Sequence, residues 1–392
     1  MKWIELGEVF PIIRNGKSIK QDGYEGYPIT RIETIADRYI NENRVGYANI
    51  HELDDYEEYV LQKGDILMSH INSVKHLGKT AIFDSDTIMI HGMNLLCLRG
   101  DKDKINNYYG YYCLNSDVFL NQISHITKKS VNQASFNITN LKKIKIPVPP
   151  METQEKIVKV LDHAQALIDK RKEQIESLDQ LIESIFYTMF GDPVRNEKGW
   201  EVKKLEEVLL NNVSNIKKDF KDDISYIDIG SINNNNNSIE SYNNFKIKDA
   251  PSRAKRILNH GDILFSTVRP NLKNIAIFDM YTENTAIGST GFCIIRVNES
   301  LVNNKYIFNV VKNSRFTGYL VKIAEGASYP AVKDSDIKSI KISIPPISLQ
   351  NEFAQKVEVI EKQKEVLRES LELLEENYKS IMDKAFKGQL FN

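Results

Sequence analysis

The chain has 392 residues, 41% of them hydrophobic and 27% charged, which is enough for two or more domains with separate cores in an ordinary soluble protein. It has no run of eighteen apolar residues, no apolar leader core after MKWIELGEVF, and only Cys97, Cys113 and Cys293, without ligand spacing; membrane span, secretion signal, disulfides and structural zinc are not expected, and the cytoplasm is. The net charge of −1 is uneven, with 18 cations against 18 acids over 1–150, 5 against 9 over 151–192, 22 against 17 over 193–346 and 7 against 9 over 347–392, so a basic face on a near-neutral protein is allowed.

In chain order, YPITRIETI (27–35), DILMSHI (65–71), KTAIFD (79–84) and NLLCLR (94–99) read as short strands between polar turns. NNYYGYYCLNSDVFLNQISHI (106–126) has helical spacing, and core packing is the preferred reading of its tyrosines 108, 109, 111 and 112. IKIPVPP (144–150) reads as a last strand, stopped by prolines that cannot continue a ladder.

Residues 151–190 then form the organising element. Steps of three and four run through Ile157, Leu161, Ala164, Ile168, Arg171, Ile175, Leu178, Ile182, Ile185 and Met189 with no Gly or Pro between them. That is a heptad seam of more than four repeats. Gly191 sits where a left-handed helix cap belongs.

From 193 onward the plan repeats. Trp3 recurs as Trp200, LQKGDILMS (61–69) as LNHGDILFS (258–266), AIFD (81–84) as AIFD (276–279), LLCLR (95–99) as CIIRV (293–297), and IPVPPMETQEKIV (146–158) as ISIPPISLQNEFA (342–354). Five anchors in one order make an internal repeat. YIDIGSI (226–232), DILFSTV (262–268), TGFCIIRV (290–297) and KYIFNVVKNSRFTGYL (305–320) repeat the strands and helix, and Asn233–Asn237 reads as an exposed loop tip. The second seam follows: Phe353, Val357, Ile360, Lys364, Leu367, Leu371, Leu374, Tyr378, Ile381 and Ala385, with Gly388 as its cap.

The expected fold class is α+β: two tandem globular αβ domains, 1–150 and 193–346, and two long helices, 151–192 and 347–392, paired as an antiparallel coiled coil in a pseudo-two-fold repeat. An antiparallel pair would hold the two domains at opposite ends of a rod; 33 seam residues span ~48 Å at 1.5 Å each, more than one ~34 Å turn of B-DNA. At the seam, Arg171 and Lys364 are open to two readings, snorkelling to solvent or a polar layer that fixes register.

Enzymatic signatures are absent. No G-x-G occurs among the nineteen glycines, GKS (16–18) and GKT (78–80) lack the upstream glycine of a phosphate loop, and there is no HExxH or Pro-Asp pair. VPPM and IPPI are similar to a methyltransferase Pro-Pro motif, but Val148 and Ile344 replace the polar residue that would bind an exocyclic amine.

The tandem layout, the doubled GDIL(M/F)S, and the doubled I-x-(V/I)-P-P-x3-Q at 146–154 and 342–350 leading into long helices resemble the specificity subunit of a type I restriction-modification enzyme over nearly the whole chain. The resemblance implies two target-recognition domains, each reading one half of a bipartite double-stranded DNA site, and helices that set the spacer and dock two methyltransferase subunits. Two restriction subunits would complete the restriction enzyme. S-adenosylmethionine, ATP and magnesium would belong to those partners and not to this chain. A coiled-coil scaffold joining two protein-binding modules without DNA is the rival reading.

The DNA-contact candidates are the polar and basic stretches. In the second half they are Arg253, Lys255 and Arg256, then Ser266, Thr267, Arg269, Asn271 and Lys273, with Ser328 and Tyr329 in EGASYP (325–330). In the first half they are Ser69, His70, Asn72, Lys75, His76 and Lys79, then Lys128, Lys129 and Ser130 in TKKSVNQ (127–133). Arg31 lies in a strand-like run, where structural and DNA-contacting roles are both open.

Overall fold

The computed structural model describes residues 1–392 apart from 131–132, 218, 327 and 392. Two compact units emerge, Met1–Lys172 with Glu369–Asn392, and Glu173–Arg368. Each contains a mixed αβ body and one stretch of paired long helix.

The first unit opens with β1 (Lys2–Glu5), a short α1 (Leu6–Val9) and β2 (Ile12–Asn15). Its main sheet adds β3 (Ile66–Ser69), with the short β4 (Ile71–Asn72) following it, then β5 (Thr80–Ile82) and β6 (Leu95–Arg99), in the order β2-β6-β3-β5, all antiparallel. Helices α2 (Asn107–Asn115) and α3 (Asp117–Ile126) cover it. A hairpin of β7 (Lys128–Lys129) and β8 (Ala134–Ser135) joins β4 in the order β4-β8-β7. After α4 (Ile138–Lys142), β9 (Lys145–Val148) returns to pair with β1 and leads into α5 (Met151–Phe190).

Two local expectations are corrected. Residues 27–35 form a 3-10 turn at Ile32–Ile35 and isolated bridges instead of a strand. Pro28 has no N–H to give, and the Thr34 hydroxyl accepts the Arg31 N–H at 2.8 Å, a local bond that competes with a ladder. The helical run 106–126 is two helices, because Ser116 is extended (ψ 153°) and its hydroxyl bonds the Cys113 carbonyl. Asn106 caps the first by accepting from the N–H of Tyr108 and Tyr109. Tyr109 and Tyr112 are buried and Tyr111 is half-buried, as core packing requires, whereas Tyr108 is exposed with its hydroxyl donating to Asp84.

The second unit holds β10 (Glu201–Lys204), β11 (Ile224–Ile227), the hairpin β12 (Ile232–Asn233) and β13 (Ser238–Ile239), β14 (Asn243–Phe245), β15 (Ala254–Ile257), β16 (Ile263–Ser266), β17 (Ile275–Ile277), β18 (Thr285–Ser289) and β19 (Phe292–Ile295). Helices α6 (Asn304–Lys312), α7 (Ser314–Ile323) and α8 (Asp334–Lys338) precede β20 (Lys341–Ile344) and α9 (Ile347–Phe386). The sheet β17-β16-β19 matches β5-β3-β6, and β10-β20 matches β1-β9. The sheet β14-β11-β18-β15 is matched in the first unit by isolated bridges in the same order, Gly46–Ile29 antiparallel, Ile29–Ile90 parallel and Ile90–Val60 antiparallel.

The internal repeat is real, but two of its anchors are displaced. Trp3 pairs with Pro147, and Val202 with the equivalent Ser343. Trp3 therefore matches Val202, not Trp200. The register is set by Leu6 and Leu205, both fully buried, whose N–H groups bond the Ile144 and Ile340 carbonyls. Trp3 is half exposed and sets nothing, while the Trp200 indole donates to the Phe190 carbonyl at the end of α5. LLCLR likewise matches FCIIR (292–296), one residue earlier than read, because Leu67 pairs with Cys97 and Leu264 with Ile294.

Within each unit the long helices pair antiparallel. In the first, Ile157, Val158 and Leu161 of α5 share a core with Met382, Ala385 and Phe386 of α9. In the second, Ile182, Phe186 and Phe190 share one with Phe353, Val357 and Ile360. Ile168 is also buried, whereas Ile175, Leu178, Leu367, Leu371 and Leu374 are half-buried, as expected where a seam is covered by one partner helix only. Lys364 is 2% exposed and paired to Asp179 of α5 and Glu361, so at this seam position the side chain forms a polar layer and does not snorkel. Arg171 is half-buried. Gly191 (φ +73°) and Gly388 (φ +75°) take the left-handed caps expected of them.

Candidate nucleic-acid interface

Two buried clamps hold each globular body. The GDIL signature places a glycine at positive φ (Gly64 +91°, Gly261 +88°), which presents the next carboxylate inward. Asp65 takes Arg99 through two 2.7 Å bonds, and Asp262 takes Arg296 in the same way. Both aspartates are 1% exposed. The pairs tie the start of β3 to the end of β6, and of β16 to β19. Gln154 and Gln350 form the second clamp. Their Oε1 atoms accept from the N–H of Asn106 and Asn303 at 2.8 Å, and their Nε2 groups donate to the Pro149 and Pro345 carbonyls. The doubled signatures are therefore structural; the loops that carry the polar and basic candidates leave from the opposite end of β3 and β16.

In the second unit the chain leaves β16 through Thr267 and turns at a 3-10 segment, Pro270–Leu272, flanked by Arg269 (φ +50°) and Lys273 (φ +51°). Left-handed backbone at two non-glycine residues is strained and needs outside support. The Arg269 N–H bonds the Pro330 carbonyl at 2.7 Å. Its guanidinium lies 4.5 Å from the Tyr329 ring centre and donates from Nη2 to the Ser328 carbonyl at 3.1 Å. Asn234 and Asn237 donate to the Leu272 and Lys273 carbonyls, each at 3.0 Å. The asparagine run is thus a hairpin turn that also braces this loop, beyond the exposed tip read from sequence.

The candidates divide sharply here. Arg269, Asn271, Ser328 and Tyr329 are exposed together. Arg253 is exposed, and its carbonyl accepts the Thr290 N–H beside the β18–β19 turn, whose Gly291 carbonyl accepts from Thr267. Lys255 is exposed on β15. Arg256 is committed to Asp334 at 3.0 Å, Lys273 donates to Ser314, and Ser266 and Thr267 are buried with hydroxyls bonded to backbone carbonyls.

In the first unit the loop after β3 places Lys75 outward in a 3-10 turn, Val74–His76, in which His76 is half-buried. The β4-β8-β7 sheet sets the exposed Lys128 and Lys129, with the exposed Ser130 following, across β8 from the half-buried Asn72. Ser130 closes its hairpin on Gln133. Ser69 and His70 are buried; the His70 ring packs edge-on to Phe136, and burial pushes its pKa down, which leaves it neutral at pH 7. Lys79 donates to the Ala36 carbonyl and the exposed Arg31 to Gln21; both partners are neutral, so the side chains are held while their charges remain. Lys17, half-buried with its ammonium donating to the Asp55 carbonyl, is not among the candidates. Asn15 pairs with Leu96 and Ser69 with Leu95, so the loop after β2 leaves from the same sheet end. Lys17 stands 4.3 Å over the Tyr56 ring there. Partners 39 residues apart leave no local signal. The same is true of Asn234 and Asn237.

Among the described residues no helix is long and apolar enough to cross a membrane, and no group of three or more His, Cys, Asp or Glu could hold a metal.

The comparisons with known proteins agree with this doubled architecture. The family model for the type I restriction modification DNA specificity domain matches residues 1–178 and again 197–376. A Methanocaldococcus jannaschii protein provisionally named as the MjaX specificity subunit of a type I restriction enzyme is 32% identical over 98% of this chain and 92% of its own length. The type I restriction enzyme StySPI specificity subunit of Salmonella potsdam is 24% identical over 94% of this chain and 89% of its own. In fold, the S subunit of a type I restriction-modification system from M. genitalium superposes with a TM-score of 0.52 at 14% identity, over 98% of this chain and 96% of that one. A chain of a type I R-M system solved for its complex assembly and conformational transition gives 0.56 at 16% identity, over 99% and 98%. With both halves of the sequence matched and a relative above 30% identity along nearly its full length, this chain belongs to the type I restriction modification DNA specificity domain family, one copy of the domain to each repeat.

Proposed function

We propose that this chain is the non-catalytic specificity subunit of a type I restriction-modification enzyme and acts in the cytoplasm. Each repeat reads one half of a bipartite double-stranded DNA site through the loops leaving β3 and β16. The observation that carries this reading is the braced, exposed Arg269–Tyr329 loop, mirrored in the first unit by the Asn72, Lys75 and Lys128–Ser130 surface. Exposed cations beside polar and aromatic groups, on rigidly held loops, suit phosphate and base-edge contact.

The long helices set the unread spacer and dock two methyltransferase subunits, with two restriction subunits added in the cleaving complex. Val359, Val366 and Leu373 recur at seven-residue spacing along α9 and are 68%, 63% and 67% exposed. An apolar stripe left uncovered on a helix suits a partner helix. S-adenosylmethionine, ATP and magnesium are carried by those partners.

The test is binding of the chain, co-purified with its methyltransferase subunit, to a library of duplexes at several salt concentrations, alongside methylome sequencing of a host expressing both. A two-part motif and affinity that falls steeply with salt are expected. Failure to bind the duplexes at any salt concentration would favour the scaffold reading. Methyl transfer by the chain freed of its partner would overturn the non-catalytic assignment.

A further inference from the structure

We propose that Arg269 reads a guanine in the DNA half-site of the second repeat, and that Tyr329 is its positioning residue. The assignment rests on the DNA-reading function proposed above and names a base and a side chain within it.

The loop is built to present one guanidinium. Arg269 occupies a left-handed conformation (φ 50°, ψ 62°) that costs a non-glycine residue. Its N–H is bonded to Pro330, and the turn it opens is closed by a second left-handed residue, Lys273, whose carbonyl is held by Asn237. The side chain is fixed as well. It lies on Tyr329, 4.5 Å from the ring centre, and spends one N–H of Nη2 on the Ser328 carbonyl. The ring contact and the Ser328 bond together restrain the guanidinium, and among the described residues the Nε and Nη1 donors have no partner. A planar fork with donors to spare is the shape that matches O6 and N7 of guanine in the major groove. Tyr329 is 68% exposed, so its ring serves the arginine and buries little else.

Two nearby cations differ, whereas Arg253 is exposed as Arg269 is. Arg256 is paired to Asp334 and Lys273 is bonded to Ser314, so their side chains hold the fold. The first repeat carries Asn72 at the position matching Arg269, since Ile71 pairs with Ser135 as Val268 pairs with Ala331. The matching position therefore differs in chemistry between the repeats, as expected of a position that specifies a base.

The experiment uses the chain in complex with its methyltransferase subunit, on duplexes carrying the methylated motif and every single-base-pair change in its second half. Arg269→Ala should weaken the cognate duplex by roughly 5- to 150-fold, the range for one bidentate base contact. It should abolish discrimination at one G·C pair of the second half-site, leaving the first half unchanged. Tyr329→Ala should weaken discrimination at that same pair by a smaller factor, and Tyr329→Phe should restore it. Uniform weakening across all second-half duplexes, with the salt slope reduced by about 0.9, would mean a phosphate contact and overturn the assignment. So would a second half-site without a G·C pair. A wild-type complex with no bipartite preference would instead overturn the DNA-reading function, and the assignment with it.

Discussion

At the scale of single residues, each repeat is held by one buried carboxylate–guanidinium pair. Asp65 and Asp262 are inaccessible, and each receives two bonds from an arginine at the far end of the adjacent strand. Removing one partner of a buried pair leaves the other charge uncompensated, which costs about 3–5 kcal/mol. Asp262→Asn should lower the stability of the second unit by about 3 kcal/mol or more, read by denaturant unfolding. Recognition of the first half-site should survive wherever that unit remains folded. A loss below about 1 kcal/mol would show that the pair is not what ties β16 to β19. The same clamps explain what the sequence disclosed. GDIL and the Pro-Pro-x3-Gln runs are legible because each recurs as a contiguous string, although Asp65 and Gln154 work through partners 34 and 48 residues away. The ion pair of Arg256 is not legible because Asp334 reaches it only through the fold, and the same holds for the neutral partners of Lys79 and Arg31, the Ala36 carbonyl and Gln21. Trp3 and Trp200 were misaligned because rarity drew attention to them, whereas burial of Leu6 and Leu205 sets the register.

At the scale of elements, the helix pair was legible from its heptads alone, since long-range periodicity needs no tertiary partner to be visible. The chemistry inside the seam was not. Lys364 could be counted as one cation among ten seam positions, but its burial beside Asp179 and Glu361 follows from the registers of α5 and α9 together. The first repeat has Ile168 at the matching position, also buried, so the polar layer belongs to one half of the pair. A hydrophobic replacement of a buried ion pair is commonly neutral or stabilising, whereas deleting one partner is costly. Here only the lysine is buried, and Asp179 and Glu361, 44% and 43% exposed, stay solvated without it, so Lys364→Met should change stability by less than about 1.5 kcal/mol or raise it. Asp179→Ala should cost more than Lys364→Met, because it leaves the buried ammonium with Glu361 alone. Thermal unfolding of the two variants side by side tests this; the reverse order would mean that Asp179 does not neutralise Lys364. The broken helices at Ser116 and Asn313 were hidden for a related reason: a side chain that caps one turn interrupts a run without disturbing its apolar periodicity.

At the scale of the whole molecule, the doubled plan makes the halves separable. Replacing 1–150 with the corresponding part of another family member should change one half of the methylated motif and keep the other half and the gap; a change in both halves would mean that the repeats do not read independently. The helices make a sharper prediction, because their proposed role is metric. The pair is antiparallel, with early α5 against late α9 in the first unit and the reverse in the second. Four residues inserted after Arg171, matched by four inserted after Glu372, lengthen both helices between their anchored ends. They add ~6 Å at 1.5 Å per residue. B-DNA rises ~3.4 Å per base pair, so the displacement corresponds to about one or two base pairs. Four residues are close to one 3.6-residue turn and nearly keep the seam in phase, whereas two would swing the apolar face about half a turn and disrupt the pairing. The four-residue variant should therefore methylate a motif with the same specified bases and a spacer longer by one or two base pairs. The two-residue variant should lose stability and activity. Methylome sequencing reads both outcomes directly. An unchanged spacer at full activity would show that the distance between the half-sites is set elsewhere, for instance by the methyltransferase subunits, with α5 and α9 serving only to dock them.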